Sequence, residues 1–358
     1  MHQDRAPESV WAAPEPGKRR LRLFRRDPEA QTLWQSEFEQ QDLGEPLGVW
    51  VTDETVALAR FDRVAAYAPA TGEPRWTWQP PGQDVIVRVA PDTEEGLAVV
   101  LHHDDGDRDA RHVRLTALDL RSGDVVWSRD QEKDRLGFIG DHTCEVAIGR
   151  GRIATAHAWP GDAQATVRCL DLRTGALQWE QPLPDRWGDS FSVLATHPPV
   201  LSVGNRGKRS RPRLYVVRED GQWHIELPDG YKDFEPTVAV VGDTLAIGLE
   251  PDDPADSDEK STGTLLCAYS VTTGERLWEW RTDHGRTVHP LAHRGYFMVG
   301  NGYGSRVSVL DPATGRVVAE RRLPGFSYRA RYAASGDRLA VVCHAVNETR
   351  RLRVFRWK

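Results

Sequence analysis

The densest run of chemistry-bearing side chains is HHDDGDRDARH, in which His102, His103, Asp104, Asp105, Asp107 and Asp109 set imidazoles beside carboxylates. Those are the donor types of a hard-cation or mixed nitrogen and oxygen metal site. The run lacks EF-hand spacing with its distal glutamate, and Arg108 and Arg111 put positive charge inside it, so no metal ligand is assigned. A second acidic run holds Asp252, Asp253, Asp256, Asp258 and Glu259, and a basic run holds Arg206, Lys208, Arg209, Arg211 and Arg213. Separate runs of opposite charge steer a charged partner by complementary potential, whereas the ordinary reading is a set of solvated loops. Trp159 in HAWPGDAQA and Tyr303 in GNGYGSR sit in stretches of the same variable kind.

Covalent chemistry has thinner support. Cys144, Cys169, Cys267 and Cys343 are scattered singly and read as buried strand residues. His224 and His289 are single histidines, read as packed or surface side chains. No catalytic residue and no cofactor is assigned, and the chain is read as a non-enzyme.

The elements that must position these runs follow from a repeat. AAYAPATGEPRW, ALDLRSGDVVW, CLDLRTGALQW, CAYSVTTGERLW and VLDPATGRVVA recur with glycines at Gly72, Gly123, Gly175, Gly274 and Gly315. In the first four a tryptophan follows four residues later, at Trp76, Trp127, Trp179 and Trp278; the fifth has Ala319 there. Two degenerate copies put Gly221 with Trp223, and Trp34 near the start, so the spacing of the marker position runs from 41 to 55 residues. Each copy reads as a β-hairpin: a β-favouring run, a polar turn closed by a glycine able to take positive φ, and a return strand carrying the tryptophan. Further apolar runs between the copies, such as VAVVGDTLAIGLE, supply a second hairpin per period. Four strands every forty to fifty residues is a propeller blade.

The LDLxTGxxxW string resembles the tryptophan-docking repeat of quinoprotein-type propellers, the repeats named after pyrroloquinoline quinone, from about Leu21 to Trp357. The resemblance implies that each tryptophan packs flat between neighbouring blades; a tryptophan buries roughly 200 Å² in doing so. In the family's dehydrogenases the quinone lies on the propeller axis with a calcium ion, but this chain has neither the Asn-Asp nor the adjacent-cysteine signature onto which those roles could be carried. The outer-membrane assembly lipoprotein of the family is similar in repeat type.

Counting along the chain yields six blades, near residues 48–79, 84–129, 138–181, 191–227, 235–281 and 287–322. The last three strands have no fourth, and the run Thr32 to Phe38 has no partners of its own, so the expected fold is an all-β, seven-bladed propeller closed by its N-terminal strand. An eight-bladed ring lacks chain for the missing strands. Residues 1–19 are expected to form a flexible segment and 20–358 a single domain.

At 358 residues, 39% apolar and mean hydropathy -0.56, no run approaches the ~18 apolar residues of a membrane span. Residues 1–20 lack the apolar stretch of a signal peptide and a lipobox cysteine, so a cytoplasmic location is expected. Only six of the 47 basic residues are lysine, the usage of a GC-rich, actinobacterial genome. Basic residues at both ends, including Arg22, Arg351 and Arg353, make a nucleic-acid or anion site an alternative, against which stands the net charge of -6. The reading is a scaffold, monomeric by itself, that binds a protein or peptide partner through variable loops on one face; a quinone-dependent or other small-ligand propeller is the second alternative.

Overall fold

The computed structural model describes residues 29–38, 47–104, 113–130, 145–157, 166–182, 190–196, 198–204, 213–218, 221–228, 237–249, 264–282, 288–301, 305–324, 328–344 and 350–357. Over them the chain forms strands and tight turns. The first strand is β1 (Gln31–Phe38). Blade one is β2 (Gly48–Val51), β3 (Val56–Ala59), β4 (Val64–Tyr67) and β5 (Pro74–Trp78). Blade two is β6 (Asp84–Val89), β7 (Leu97–Asp104), β8 (Val113–Asp119) and β9 (Val125–Asp130). Blade three follows with β10 (Glu145–Gly149), β11 (Arg152–His157), β12 (Thr166–Asp171) and β13 (Leu177–Pro182). Blade four has β14 (Ser190–Thr196), β15 (Pro199–Gly204), β16 (Arg213–Arg218) and β17 (Gly221–Glu226). Blade five has β18 (Thr237–Val241), β19 (Thr244–Leu249), β20 (Thr264–Ser270) and β21 (Arg276–Thr282). Blade six has β22 (Val288–His293), β23 (Tyr296–Asn301), β24 (Arg306–Leu310) and β25 (Val317–Arg322). The chain ends in β26 (Tyr328–Ser335), β27 (Arg338–His344) and β28 (Arg350–Arg356).

Each sheet is an antiparallel meander, and the seventh has the order β1, β28, β27, β26. Its N-terminal strand runs antiparallel to β28 from Gln31 opposite Arg356 to Phe38 opposite Arg350. The fold is therefore the seven-bladed, end-closed propeller that the repeat count implies. Pairing the first strand with the last removes two open sheet edges, and with them a template for aggregation.

First strands of successive blades meet around the axis, from β6 through β10, β14, β18, β22 and β26 to β2. Middle strands are almost wholly apolar and buried, as in VALA of β3, while fourth strands such as PRWTW of β5 are half-exposed. The apolar core accordingly divides into seven clusters, and each is shared by two neighbouring blades. Blades one and two, for example, share Trp50, Ala57 and Val64 with Ile86, Val100 and Leu118. No sheet buries its faces alone, so the ring is one cooperative unit. Among the described residues no helix is long and apolar enough to cross a membrane.

Candidate functional site

The repeated turn is built from its own side chains. In blade three Asp171 Oδ1 accepts hydrogen bonds from the backbone N–H groups of Arg173 and Thr174 and from the Thr174 hydroxyl, at 2.8–3.1 Å, and Gly175 N donates to Asp171 O at 2.8 Å. The Thr174 hydroxyl, then its backbone N–H, holds the Asp171 carboxyl below its usual range. Asp311 does the same in blade six, and in blade five Ser270 Oγ takes the aspartate's place. These aspartates, within the repeated string but unnoticed beside its glycine and tryptophan, fix the turn onto which the neighbouring blade docks.

The docking is directional. Trp34, Trp76, Trp127 and Trp278 donate from Nε1 to the carbonyls of Pro69, Leu120, Leu172 and Pro312, at 3.0, 3.2, 2.9 and 2.8 Å. Each acceptor lies three residues before the turn glycine of the next blade, and the indole covers that glycine. A Cβ on Gly123, whose φ is +82°, would come within 2.7 Å of Trp76, and one on Gly315 within 2.6 Å of Trp278. A β-bulge directly precedes the marker position in blades one, two, three, five and six, as where Ala117 faces Trp127 but Leu118 faces Val125. Such a bulge turns the strand and re-aims the side chain that follows.

Two joints depart from the pattern. In blade four the β16–β17 pair has no bulge; Gly221 opens β17 opposite Arg218, and Trp223 pairs with Val216. Gly221 is thus a strand residue, and the buried Nε1 of Trp179, which faces this blade from blade three, has no hydrogen-bond partner. At the other joint, Ala319 of blade six faces blade seven, whose third and fourth strands come from opposite ends of the chain and share no turn. Trp357, 4% exposed, packs in the cluster that includes Ala319, Leu323 and Ala30, with the Arg321 guanidinium 5.6 Å above its ring. The missing tryptophan of the fifth copy is a consequence of ring closure.

The turn face is also clasped by polar contacts between blades. Arg121 pairs with Glu54, Arg173 Nε lies 2.6 Å from Glu95 Oε2, and Arg338 Nη1 donates to Asp53 O at 2.7 Å. Exposed pairs contribute little singly, but these recur at successive joints.

On the opposite face, where second strands lead into third strands, the structure separates the HHDD run. His102 is fully buried inside blade two. Its Nδ1 lies 2.6 Å from Asp84 Oδ2 and its Nε2 2.8 Å from Thr116 Oγ1, which in turn lies 2.8 Å from Ser128 Oγ. Arg114 Nη1 also donates to Asp84 Oδ2 at 2.8 Å. A neutral imidazole with its proton on Nδ1 satisfies the whole chain, and burial lowers the His102 pKa against the pull of Asp84. The order carboxylate, imidazole, hydroxyl is that of a hydrolase triad, but the hydroxyl on the imidazole is that of Thr116, 1% exposed and out of reach of a substrate. His102 is therefore a blade-locking residue and is removed from the candidate loop surface. His103 and Asp104 stay there, with the His103 ring on the Asp104 carbonyl at 2.8 Å.

Asp105, Asp107, Trp159, Arg206, Lys208, Arg209, Arg211, Asp252, Asp253, Asp256 and Tyr303 lie outside the described residues, as do residues 1–19. The stem of the Tyr303 loop is described. Asn301 Oδ1 accepts from the backbone of Ser305 and Arg306 at 3.0 and 3.2 Å, and Tyr332 of the next blade donates to Asn301 O at 2.5 Å. Two of the C-terminal arginines proposed for a basic patch, Arg350 and Arg353, are buried, and Arg351 and Arg356 pair with Glu37 and Asp337. Cys169, Cys267 and Cys343 are buried and outside any disulfide, and His224 is exposed beside Tyr215. His289 faces Tyr332 on the inner strands, where burial, then Arg331, holds its pKa near 4.

The sequence matches the protein family described as outer membrane protein assembly factor BamB, over residues 20–227 and 164–347. It is 22% identical over 336 residues to outer membrane protein assembly factor BamB of Burkholderia pseudomallei (strain K96243), a match spanning 89% of this chain and 66% of that relative's length. The crystal structure of BamB from Moraxella catarrhalis is 18% identical, covers 91% of this chain and 97% of its own, and superposes with a TM-score of 0.46. The structure of U3-55K, 12% identical with a TM-score of 0.59, covers 92% of this chain and 99% of its own. At that identity the likeness shows the propeller fold alone.

Proposed function

Because the chain belongs to the outer membrane protein assembly factor BamB family of propellers, we propose that it is a non-catalytic scaffold holding a protein or peptide partner on its charged loop face. The observation that carries this reading is the asymmetry between the two faces. Turns on one face are consumed by inter-blade docking, with indole N–H bonds, covered glycines and the clasps of Arg121, Arg173 and Arg338. The segments that join second to third strands differ from blade to blade in sequence and include the charged clusters around Asp105, Arg209 and Asp253. A frame locked at its joints presents such loops with little ordering cost on binding.

Support also comes from the relative in Burkholderia pseudomallei, which is an outer membrane protein assembly factor by name. A cytoplasmic location is part of the same proposal, and cell fractionation tests it. Deleting Asp252 to Glu259 and comparing partners by affinity purification and mass spectrometry tests the loop face. We expect specific partners to be lost with the melting curve unchanged; an unchanged partner set refutes the assignment of this face.

A further inference from the structure

His102 is fully buried, yet its hydrogen-bond chain ends at the surface. From Nε2 the chain reaches Thr116 Oγ1 at 2.8 Å and then Ser128 Oγ at 2.8 Å, and Ser128 is exposed on the outer strand β9. On the other side of the ring Asp84 Oδ2 lies 2.6 Å from Nδ1 and also accepts from Arg114 Nη1 at 2.8 Å. Each hydroxyl in such a series can donate or accept, so the chain has two complete arrangements. With the imidazole neutral and its proton on Nδ1, Ser128 donates to Thr116 and Thr116 donates to Nε2. With a second proton on Nε2, His102 donates to Thr116, Thr116 to Ser128, and Ser128 to water. Neither arrangement leaves a buried member of the chain unpaired, which is what normally bars a charge from a blade interior.

We infer that Ser128, Thr116 and His102 form a proton wire that charges the buried imidazole in the folded protein, making Asp84 a pH-dependent anchor for Arg114. A proton from solvent adds to Ser128 Oγ as the Ser128 proton passes to Thr116 Oγ1 and the Thr116 proton to Nε2. Only O–H and N–H bonds are made and broken, and the whole chain reverses its direction. The imidazolium then pairs with Asp84 and repels the guanidinium that shares the same carboxylate oxygen, so acid loosens the Arg114 bond without opening the blade. Asp84 pairs with Asp104 and Arg114 pairs with His102, which puts this exchange at the end of blade two where the second strand leads into the third. Burial, Arg114 and His103 oppose the charge, whereas Asp84 favours it. From blade one the facing group is Trp78, edge-on at 5.7 Å and uncharged. The balance holds the midpoint below the ordinary 6.5, with burial the largest cause.

The test labels the histidines of the full chain with carbon-13 at Cε1 and follows them by NMR as the pH is lowered, with far-UV circular dichroism as the check on folding. The His102 signal is the one missing from His102→Gln. We expect it to titrate reversibly, with a midpoint below 6.5, while the circular dichroism stays constant. Thr116→Val cuts the wire next to the ring, and half-protonation should then need about tenfold more acid. Thr116→Ser should restore the wild-type midpoint, which a loss of packing alone would not predict. Ser128→Ala changes only the exposed end and should shift the midpoint in the same direction, so it carries the test if Thr116→Val does not fold. By reciprocity Arg114→Gln should raise the midpoint, since a charge on His102 that weakens the Arg114 bond is itself opposed by Arg114. A His102 signal that moves only as the protein unfolds overturns the inference. So does a midpoint unchanged in Ser128→Ala, or one that Arg114→Gln leaves in place.

Discussion

Gly123→Ala and Gly96→Ala form a matched pair within blade two. Both glycines hold positive φ, +82° and +77°, so alanine at either meets the same backbone penalty of about 1–2 kcal/mol. They differ in what lies above them: nothing within 4 Å of a Cβ on Gly96, but the Trp76 indole within 2.7 Å of one on Gly123. The indole cannot retreat without breaking its 3.2 Å bond to Leu120 O. Overpacking of this kind costs a further ~1–3 kcal/mol, so Gly123→Ala should lose about 2–5 kcal/mol and Gly96→Ala about 1–2. Placing Gly123→Ala in a Trp76→Ala background removes the clash and should bring its cost down to that of Gly96→Ala. Urea unfolding followed by far-UV circular dichroism and by tryptophan fluorescence measures these differences, with coincident transitions as the check on two-state analysis. Equal losses at the two glycines, or a Gly123→Ala cost that persists without Trp76, would refute inter-blade docking as the source.

Trp127→Phe deletes an indole hydrogen bond to Leu172 O, whereas Trp179→Phe deletes a buried N–H that has no partner. The first should cost about 1–2 kcal/mol more than the second in urea midpoint measurements; equal costs would place no value on the indole bonds. His102 carries a pKa below 6.5, so its contribution to stability is present above pH 6.5 and is lost as pH falls below it. Wild type should therefore lose stability relative to His102→Gln between pH 7 and 5, as read from paired thermal melts; parallel curves would mean that the imidazole titrates as if unfolded.

Much of the frame was legible because it is written locally. A hairpin needs a β-favouring run, a turn residue tolerant of positive φ and a return strand, all within a dozen residues, and the copies around Gly123, Gly175 and Gly315 repeat them. The unpaired run at Trp34 revealed the closure because strands must pair, and β1 does lie on β28. The candidate loops were placed by the same local reading, and there it erred at His102. The charged run begins within β7, and the partners that draw His102 inward, Asp84 and Thr116, lie 18 residues before it and 14 after it in sequence.

The sequence by itself therefore determined the blade, its period and its number, since these depend on contacts between near neighbours in the chain. Only the tertiary structure decided what each blade meets. It paired every docked indole with the turn of the following blade, replaced the tryptophan expected at Ala319 by Trp357, and left the Trp179 N–H without an acceptor. It also gathered Asp92, Ile148, Leu194 and Val238 around one cleft. Those residues come from four different blades, and it is closure of the ring, through hydrophobic surfaces that no single blade can bury, that brings them together.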